Sequence, residues 1–120
     1  MADITLNLQA NVNLDDGSQQ ISPASIAKTL SVLDRQAKYL ALGNNAIAVP
    51  KNGSGVAVTS YCLIIFNAGN STSIYTLKGI NGDTGIILPT TPGFALVPTA
   101  ADFVINSSHA DTIPTEFIFF

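Results

Sequence analysis

One segment of the sequence brings a nucleophile, a base and a carboxylate close together along the chain. Ser107 and Ser108 precede His109, and Asp111 follows two residues later. Catalysis of the Ser-His-Asp type needs a base held beside its nucleophile, and His109 is the only histidine in the chain. Because the segment has no sharp turn of the kind that presents a catalytic serine, we interpret His109 as a solvated loop residue. The sequence therefore predicts no catalytic residue here.

The single cysteine is equally poor material for chemistry. Cys62 lies within Tyr61–Phe66, the most apolar run of the chain. In such a strand a cysteine behaves as a small buried hydrophobic residue with a raised pKa, not as a nucleophile. One histidine and one cysteine cannot supply a structural zinc site, and a cupin-type metal centre needs several histidines. We therefore expect no transition-metal site.

Carboxylates suggest two further sites, and neither fits well. Asp15 and Asp16 precede Gly17, which favours a turn over a pair of acid and base groups. The oxygen-bearing residues of 11–17 alternate, but the glycine comes one position late and no closing glutamate follows, as a calcium loop requires. The loop Asn81–Gly85 is shorter still, and a pairing of Asp102 with Glu116 has no support in the pattern. We predict no metal and no cofactor.

Composition excludes several classes of partner. The chain has 120 residues, five basic and eight acidic, with a net charge of −3. It lacks the cluster of positive charge that binds the phosphate backbone of a nucleic acid, so nucleic-acid binding is not expected. The first residues show no positive region followed by an apolar run, so no secretory signal is expected. No stretch approaches the roughly 18 apolar residues of a membrane helix, so no membrane partner is predicted.

The opening segment has the clearest pattern of secondary structure. Apolar residues from Ile4 to Val12 alternate strictly with polar residues from Asp3 to Asn11. Side chains of a strand alternate between its two faces, so the pattern predicts a half-buried strand that ends before Asp15-Asp16-Gly17.

The segment 23–42 fits two structures. Ser22-Pro23 and the apolar spacing from Ile26 to Leu40 suit a short helix that ends at Gly43. The alternation from Ile26 to Val32 also suits a strand, followed by a turn at Asp34-Arg35-Gln36. Both readings remain open on the residues alone.

Short apolar segments separated by Gly, Pro and Asn follow at intervals of roughly 8–12 residues, which is typical of a β-sandwich or barrel. We predict a single all-β domain over 1–120, an antiparallel, jelly-roll-like β-sandwich with one short helix in 23–42 as the alternative, and 1–13 as an N-terminal arm. The run Tyr61–Phe66 is expected to be central and covered on both faces. The other predicted strands are 46–49, 73–78, 86–88, 94–97, 102–106 and 115–120.

The low charge points to an assembly. Only 11% of the residues are charged, where about 25% is usual. Exposed strand edges beside apolar chain ends aggregate unless another chain pairs with them. We therefore expect a homo-oligomer in which a neighbour covers part of the surface, by strand addition or across a symmetric interface. The predicted interface residues are the apolar ones of the two ends: Ile4, Leu6, Leu8, Phe117, Phe119 and Phe120.

The last two-thirds of the chain, residues 39–120, resembles a known class of proteins. A short apolar strand ends at Pro50, an apolar strand ends in Asn67, and a Pro/Gly-led strand at 92–98 precedes a last apolar strand at 115–120. This pattern resembles the small β-sandwich virion proteins of tailed bacteriophages. The resemblance implies strand over 26–32, a structural role and no catalytic residues.

The resemblance favours a capsid decoration or cement protein that forms a homotrimer. Such a protein would be made in the host cytoplasm, lie on the capsid surface and bind between subunits of the major capsid protein. A component of the tail or of the head–tail connector is an alternative within the same class. A carbohydrate-binding or adhesin-like β-sandwich is the alternative from another class, and it would need aromatic residues exposed on a flat face. An enzyme is not expected.

Overall fold

The computed structural model describes residues 3–12, 21–88 and 93–120. Within 3–12 and 21–30, the side chains other than those of Asp3 and Thr5 lie outside the described part. The chain divides into two compact units, Met1–Val32 and Leu33–Phe120.

The first unit is an antiparallel pair of strands, β1 (Asp3–Val12) and β2 (Ile21–Ser31). Asp3 lies opposite Ser31 and Ala10 opposite Ala24, and the register shifts between Ala10 and Val12. The strand predicted over 3–12 is confirmed. The segment predicted as an arm over 1–13 thus has its described strand paired with a strand of its own chain.

The second unit contains eight strands in two antiparallel sheets of four. Their bounds are β3 (Asp34–Lys38), β4 (Gly43–Ile47), β5 (Ser60–Phe66), β6 (Tyr75–Lys78), β7 (Ile86–Ile87), β8 (Gly93–Thr99), β9 (Phe103–Ser107) and β10 (Thr115–Phe119). One 3-10 turn, Ala68–Asn70, follows β5.

The strand order is that of a jelly roll. One sheet has the order β3-β10-β5-β8 and the other β4-β9-β6-β7. The first strand of the unit therefore pairs with the last, the second with the second to last, and so on inward. The pairs are β3 with β10, β4 with β9, β5 with β8 and β6 with β7. Successive pairs of this long hairpin alternate between the two sheets, which is the wrapping of a jelly roll. The prediction of an antiparallel, jelly-roll-like β-sandwich is confirmed.

The core of this unit is built from alternate residues of both sheets. Ile64 and Phe117 come from one sheet, and Ile47 and Ile105 come from the other; all four are fully buried. Phe66 stacks on Tyr75 with ring centroids 4.5 Å apart, which joins β5 to β6. Burial of such aromatic rings contributes strongly to the cohesion of the two sheets.

The helical alternative for 23–42 is wrong, because β2 and β3 occupy most of this segment as strands. The turn expected at Asp34-Arg35-Gln36 is also wrong. These residues lie inside β3, where Gln36 is opposite Phe117 and Asp34 is opposite Phe119. Pairing with the apolar β10 overrides the local turn preference of a polar segment.

Candidate interaction surface

The outward residues of β5 are apolar like its inward ones. Cys62 and Ile64 point into the core and are fully buried, while Tyr61 is 50% exposed. Leu63 and Ile65 share the outward face with Tyr61 and are half-buried. β5 is central in its sheet, between β10 and β8, as predicted. The expectation that both its faces are covered is wrong at Tyr61.

The neighbouring strands extend this apolar surface. Phe94 lies opposite Ile65, and Leu96 lies opposite Leu63, with exposed fractions of 59% and 39%. On the other side of β5, Ile118 lies opposite Leu63. Residues directly opposite each other share a face of the sheet. We call the following set the apolar sheet face: Tyr61, Leu63, Ile65, Phe94, Leu96, Pro98 and Ile118.

Charge is confined to the β3 side of this face. Arg35 on β3 forms a salt bridge with Glu116 on β10, with exposed side-chain fractions of 66% and 31%. A solvent-exposed pair of this kind contributes little to stability. The pair cancels its own charge, so the face has no net charge beside its apolar residues.

A hydrogen-bonded carboxylate fixes the loops at one end of the sandwich. Asp111 accepts hydrogen bonds from the Tyr75 hydroxyl at 2.6 Å, the Thr115 hydroxyl at 2.9 Å and the Leu40 backbone N–H at 3.0 Å. Burial and the Asp111 carboxylate raise the pKa of the Tyr75 phenol. All of these partners are groups of the protein itself, so the cluster positions loops.

The adjacent loop is tied down by an amide. The Asn70 side-chain oxygen accepts hydrogen bonds from the backbone N–H groups of Thr112 at 2.8 Å and Ile113 at 3.3 Å. Its side-chain nitrogen donates to the Ile113 carbonyl at 2.6 Å. Asn70 is buried, and both polar atoms of its amide bond to groups of this chain, so it too has a structural part.

The Ser-His-Asp segment does not form a catalytic arrangement. The Ser108 hydroxyl lies 2.9 Å from Nδ1 of the exposed His109. The same hydroxyl accepts the Ile74 backbone N–H at 2.7 Å, while the Ser107 hydroxyl donates to the His109 carbonyl at 2.5 Å. Asp111 is directed to Tyr75 and Thr115. Ser108 and His109 are therefore adjacent without the carboxylate that would orient the imidazole.

Cys62 behaves as predicted. Its side chain is fully buried, and burial raises the pKa of the thiol from 9.0 to about 12. A thiol in that state is protonated and inert near neutral pH.

The acidic segments considered as metal sites have other partners or lie outside the described residues. Residues 13–17 belong to the part that the structure does not describe. Asp83 accepts the backbone N–H groups of Gly79 and Ile80, each at 3.0 Å, and so closes the turn after β6. Among the described residues there is no group of three or more His, Cys, Asp or Glu side chains that could hold a metal ion.

A groove of about 630 Å³ is lined by residues of β6, β8 and the start of β9. Asp102 at its border accepts the Val49 N–H at 3.0 Å and binds Lys51 at 2.9 Å. The hydrogen bond from Lys51 holds the pKa of this exposed carboxyl below its ordinary value. Asp83, the other carboxylate at the groove, is committed to its turn, so the groove presents no convergent polar site.

The predicted interface residues divide into two groups. Phe117 and Phe119 are fully buried in the core and Phe120 is 7% exposed, stacked on Tyr61 at 6.0 Å. In this fold Phe117 and Phe119 offer no surface to another chain, which corrects their assignment: apolar alternation in β10 packs the protein's own sandwich. Ile4, Leu6 and Leu8 lie in β1, and their side chains are outside the described part.

The exposed aromatic residues of the apolar sheet face were missed by the sequence interpretation, which expected Tyr61 to lie in a strand covered on both faces. Tyr39 is 67% exposed, and only Tyr75 is buried. Phe94, Leu96 and Pro98 are separated by the equally apolar Ala95 and Val97, so the sequence does not say which face of this strand is outward.

No family model, no curated protein and no solved structure matches this chain. Within the described residues no helix is long and apolar enough to cross a membrane.

Proposed function

We propose that this protein is a structural virion protein of a tailed bacteriophage, a capsid decoration or cement protein that binds between subunits of the major capsid protein. The observation that carries the proposal is the apolar sheet face, where β5 and β8 expose apolar side chains beside the half-buried Ile118 of β10. Exposed apolar patches of this kind mark interaction sites. The sequence resemblance supplies the class of partner.

The jelly roll supports this proposal as a fold-level analogy. Viral capsid proteins use the fold, but so do lectins and cupins, and a fold does not by itself decide function. Cupin chemistry needs several histidines, and this chain has one. The remaining contrast is between assembly and recognition of a carbohydrate.

The proposed mechanism is geometric. The protein, as a homo-oligomer at the capsid surface, buries apolar and uncharged polar area at the junction of neighbouring shell subunits and resists their separation. The resemblance favours a trimer, but the proposal requires only a homo-oligomer. A place in the tail or the head–tail connector would use the same surface with another virion protein.

A carbohydrate-binding module is the second candidate, because one observation favours it. Tyr61 and Phe94 are both at least half exposed on one sheet face, and exposed aromatic rings on a flat face can stack on sugars. The chain has no tryptophan, the largest ring available for such stacking.

The decisive experiment is to purify particles of the phage that encodes the protein, separate their proteins on a gel, and add purified protein to shells that lack it. We expect a band in the particle and saturable binding to shells. Tyr61→Lys should abolish binding to shells, whereas Ile86→Lys, a matched change at a 69% exposed residue of the other sheet, should not. Absence from every particle together with glycan binding by the free protein would replace the proposal by the second candidate.

A further inference from the structure

The two four-stranded sheets have four edge strands, which are β3, β8, β4 and β7. These strands differ in how well they are protected against pairing with another chain. β3 has three charged residues among its five, and β7 is only two residues long. β4 begins with Gly-Asn-Asn, and Asn45 turns its side chain back to the Ile105 carbonyl at 3.2 Å. β8 is seven residues long and has no charge. Charge, shortness and proline are usual protections of an edge, and β8 has only Pro98, near its end.

The direction of the backbone groups of β8 follows from the neighbouring strand. Tyr61 exchanges two hydrogen bonds with Phe120, of 2.8 and 2.9 Å, so its N–H and C=O point toward β10. These directions alternate along an antiparallel strand, so the N–H and C=O groups of Leu63 and Ile65 also point toward β10. Their partners on β8 are Leu96 and Phe94. The N–H and C=O groups of Phe94 and Leu96 therefore point to the open edge.

Pro98 occupies the third position of this kind, opposite Tyr61. It has no N–H to donate, and its nitrogen faces the open edge, so it leaves the β5–β8 ladder intact. Within β8, the open edge thus presents two donors, the N–H groups of Phe94 and Leu96. Pro98 offers no N–H, so backbone pairing with another strand ends there.

We infer that two copies of this chain pair through β8, antiparallel across a two-fold axis, with Phe94 of each copy opposite the second copy's Leu96. In this register each Phe94–Leu96 pair exchanges two hydrogen bonds, so four bonds form and every N–H donor of the edge is used. The same strands bring Phe94 and Leu96 side chains together on the outward face. Both two-fold related surfaces are the same patch, as an isologous interface requires.

The chemistry of β8 suits a second copy as the occupant. Each chain has a net charge of −3, but β8 has no ionisable side chain, so the contact brings no like charges together. Cross-strand apolar pairs contribute in addition to the backbone bonds. The pairing would join two apolar sheet faces into one continuous surface.

This inference rests on the homo-oligomer part of the proposed function and is tested on purified protein, independently of any particle. A two-fold contact predicts an even number of copies. A closed trimer contains no two-fold contact between identical strands, so the measured mass distinguishes the two arrangements.

The test compares two substitutions at one residue. Leu96→Pro removes an outward N–H without touching the β5 ladder, as Pro98 already does in the same strand, whereas Leu96→Ala shortens the side chain and keeps the N–H. We expect sedimentation equilibrium to give a dimer of 12.5 kDa chains for the wild type. Leu96→Pro should weaken dimerisation roughly 5- to 150-fold, from two lost hydrogen bonds per dimer, and Leu96→Ala should weaken it less.

Hydrogen exchange of the wild type gives a second measurement that does not depend on the folding of a variant. The amides of Phe94 and Leu96 should be protected at concentrations where the dimer forms and exchange fast on dilution. Ala95 and Val97, which pair with β5, should be protected at both concentrations. A monomer at all concentrations, a strict trimer, or fast exchange at Phe94 and Leu96 in the assembled state would overturn the inference.

Discussion

The acidic side chains of the jelly-roll unit mostly bind the protein's own backbone. Asp83, Asp102 and Asp111 each accept at least one backbone N–H, at 3.0 Å in each case. Hydrogen bonds to an ionised acceptor are stronger than those between neutral groups. At these three positions, a chain with few charges therefore uses its carboxylates to hold turns and loops together, and none of the three belongs to the apolar sheet face.

Two glycines allow strain and steric clash to be measured separately. Gly85 (φ +79°) and Gly55 (φ +77°) both adopt the left-handed region, but only at Gly85 would a Cβ meet other atoms, the Leu77 carbonyl oxygen at 2.5 Å. Gly55→Ala should lower the free energy of unfolding by about 1 kcal/mol from backbone strain alone. Gly85→Ala should lower it by about 2–4 kcal/mol, as measured by denaturant unfolding.

Gly53→Ala is the control for both, because its φ is not positive and nothing lies within 4 Å of the added Cβ. Equal losses for Gly85→Ala and Gly55→Ala would show that the turn at Gly85 relaxes to make room.

The buried thiol makes stability depend on pH in the alkaline range. The pKa of Cys62 is about 12 in the fold against an ordinary 9.0, so above pH 9.0 the unfolded chain loses a proton that the folded protein keeps. The stabilisation is complete below pH 9.0 and is lost as the pH rises toward 12. The free energy of unfolding should fall by about 1.4 kcal/mol per pH unit once the pH is above the pKa of the unfolded thiol, 9.0.

Cys62→Ala should remove this slope. The window from pH 9.0 to 10.0 is the informative one, since Tyr75 has an ordinary pKa of 10.0 and its own raised pKa adds a similar loss only above that value. The same slope in both proteins, measured by urea unfolding across the window, would assign it to another group.

At the scale of elements, one hydrogen bond joins β6 to the loop before β10. Tyr75→Phe removes the hydroxyl that donates to Asp111 at 2.6 Å but keeps the ring stacked on Phe66. We expect a loss of about 1.5–3 kcal/mol, because the lost bond has an ionised acceptor. Tyr39→Phe, at a 67% exposed ring, is the control and should stay within about 0.5 kcal/mol in the same unfolding experiment. A loss no larger than that of Tyr39→Phe would mean that water replaces the hydroxyl as the donor to Asp111.

The jelly-roll unit should fold without the first two strands. All members of the hydrophobic core cluster that belong to the described residues lie between Leu40 and Phe119, inside the second unit. A chain of residues 33–120 should therefore show cooperative unfolding and the circular dichroism of a β protein. A disordered product would show that residues 1–32 supply part of the folding energy of the jelly roll.

At the scale of the whole molecule, low charge sets how the proposed assembly responds to salt. Only two salt bridges are found among the described residues, Arg35–Glu116 and Lys51–Asp102, and both are within one chain. Salt screens interactions between exposed charges but leaves apolar burial and backbone pairing in place. The protein should stay on particles washed in molar sodium chloride, as followed by a gel of the washed particles. Wholesale release under those conditions would reveal an ionic interface.

Several features of the fold could be predicted from the sequence because they depend on local pattern. Alternation in 3–12 and the continuous apolar run Tyr61–Phe66 define strands, and Gly, Pro and Asn define the breaks between them. The inert character of Cys62 follows in the same way, since an apolar strand buries what lies at its inward positions. The β-sandwich class follows from the spacing of these segments.

The tertiary structure alone decided which strands become neighbours and which face each strand buries. Asp34-Arg35-Gln36 has the local preference of a turn, yet it forms a strand because the last strand pairs with it. Phe117 and Tyr61 both lie in apolar strands, but only the packing of two sheets places the first ring inside and exposes the second. Long-range pairing, which no local pattern encodes, therefore created both the core and the exposed apolar sheet face.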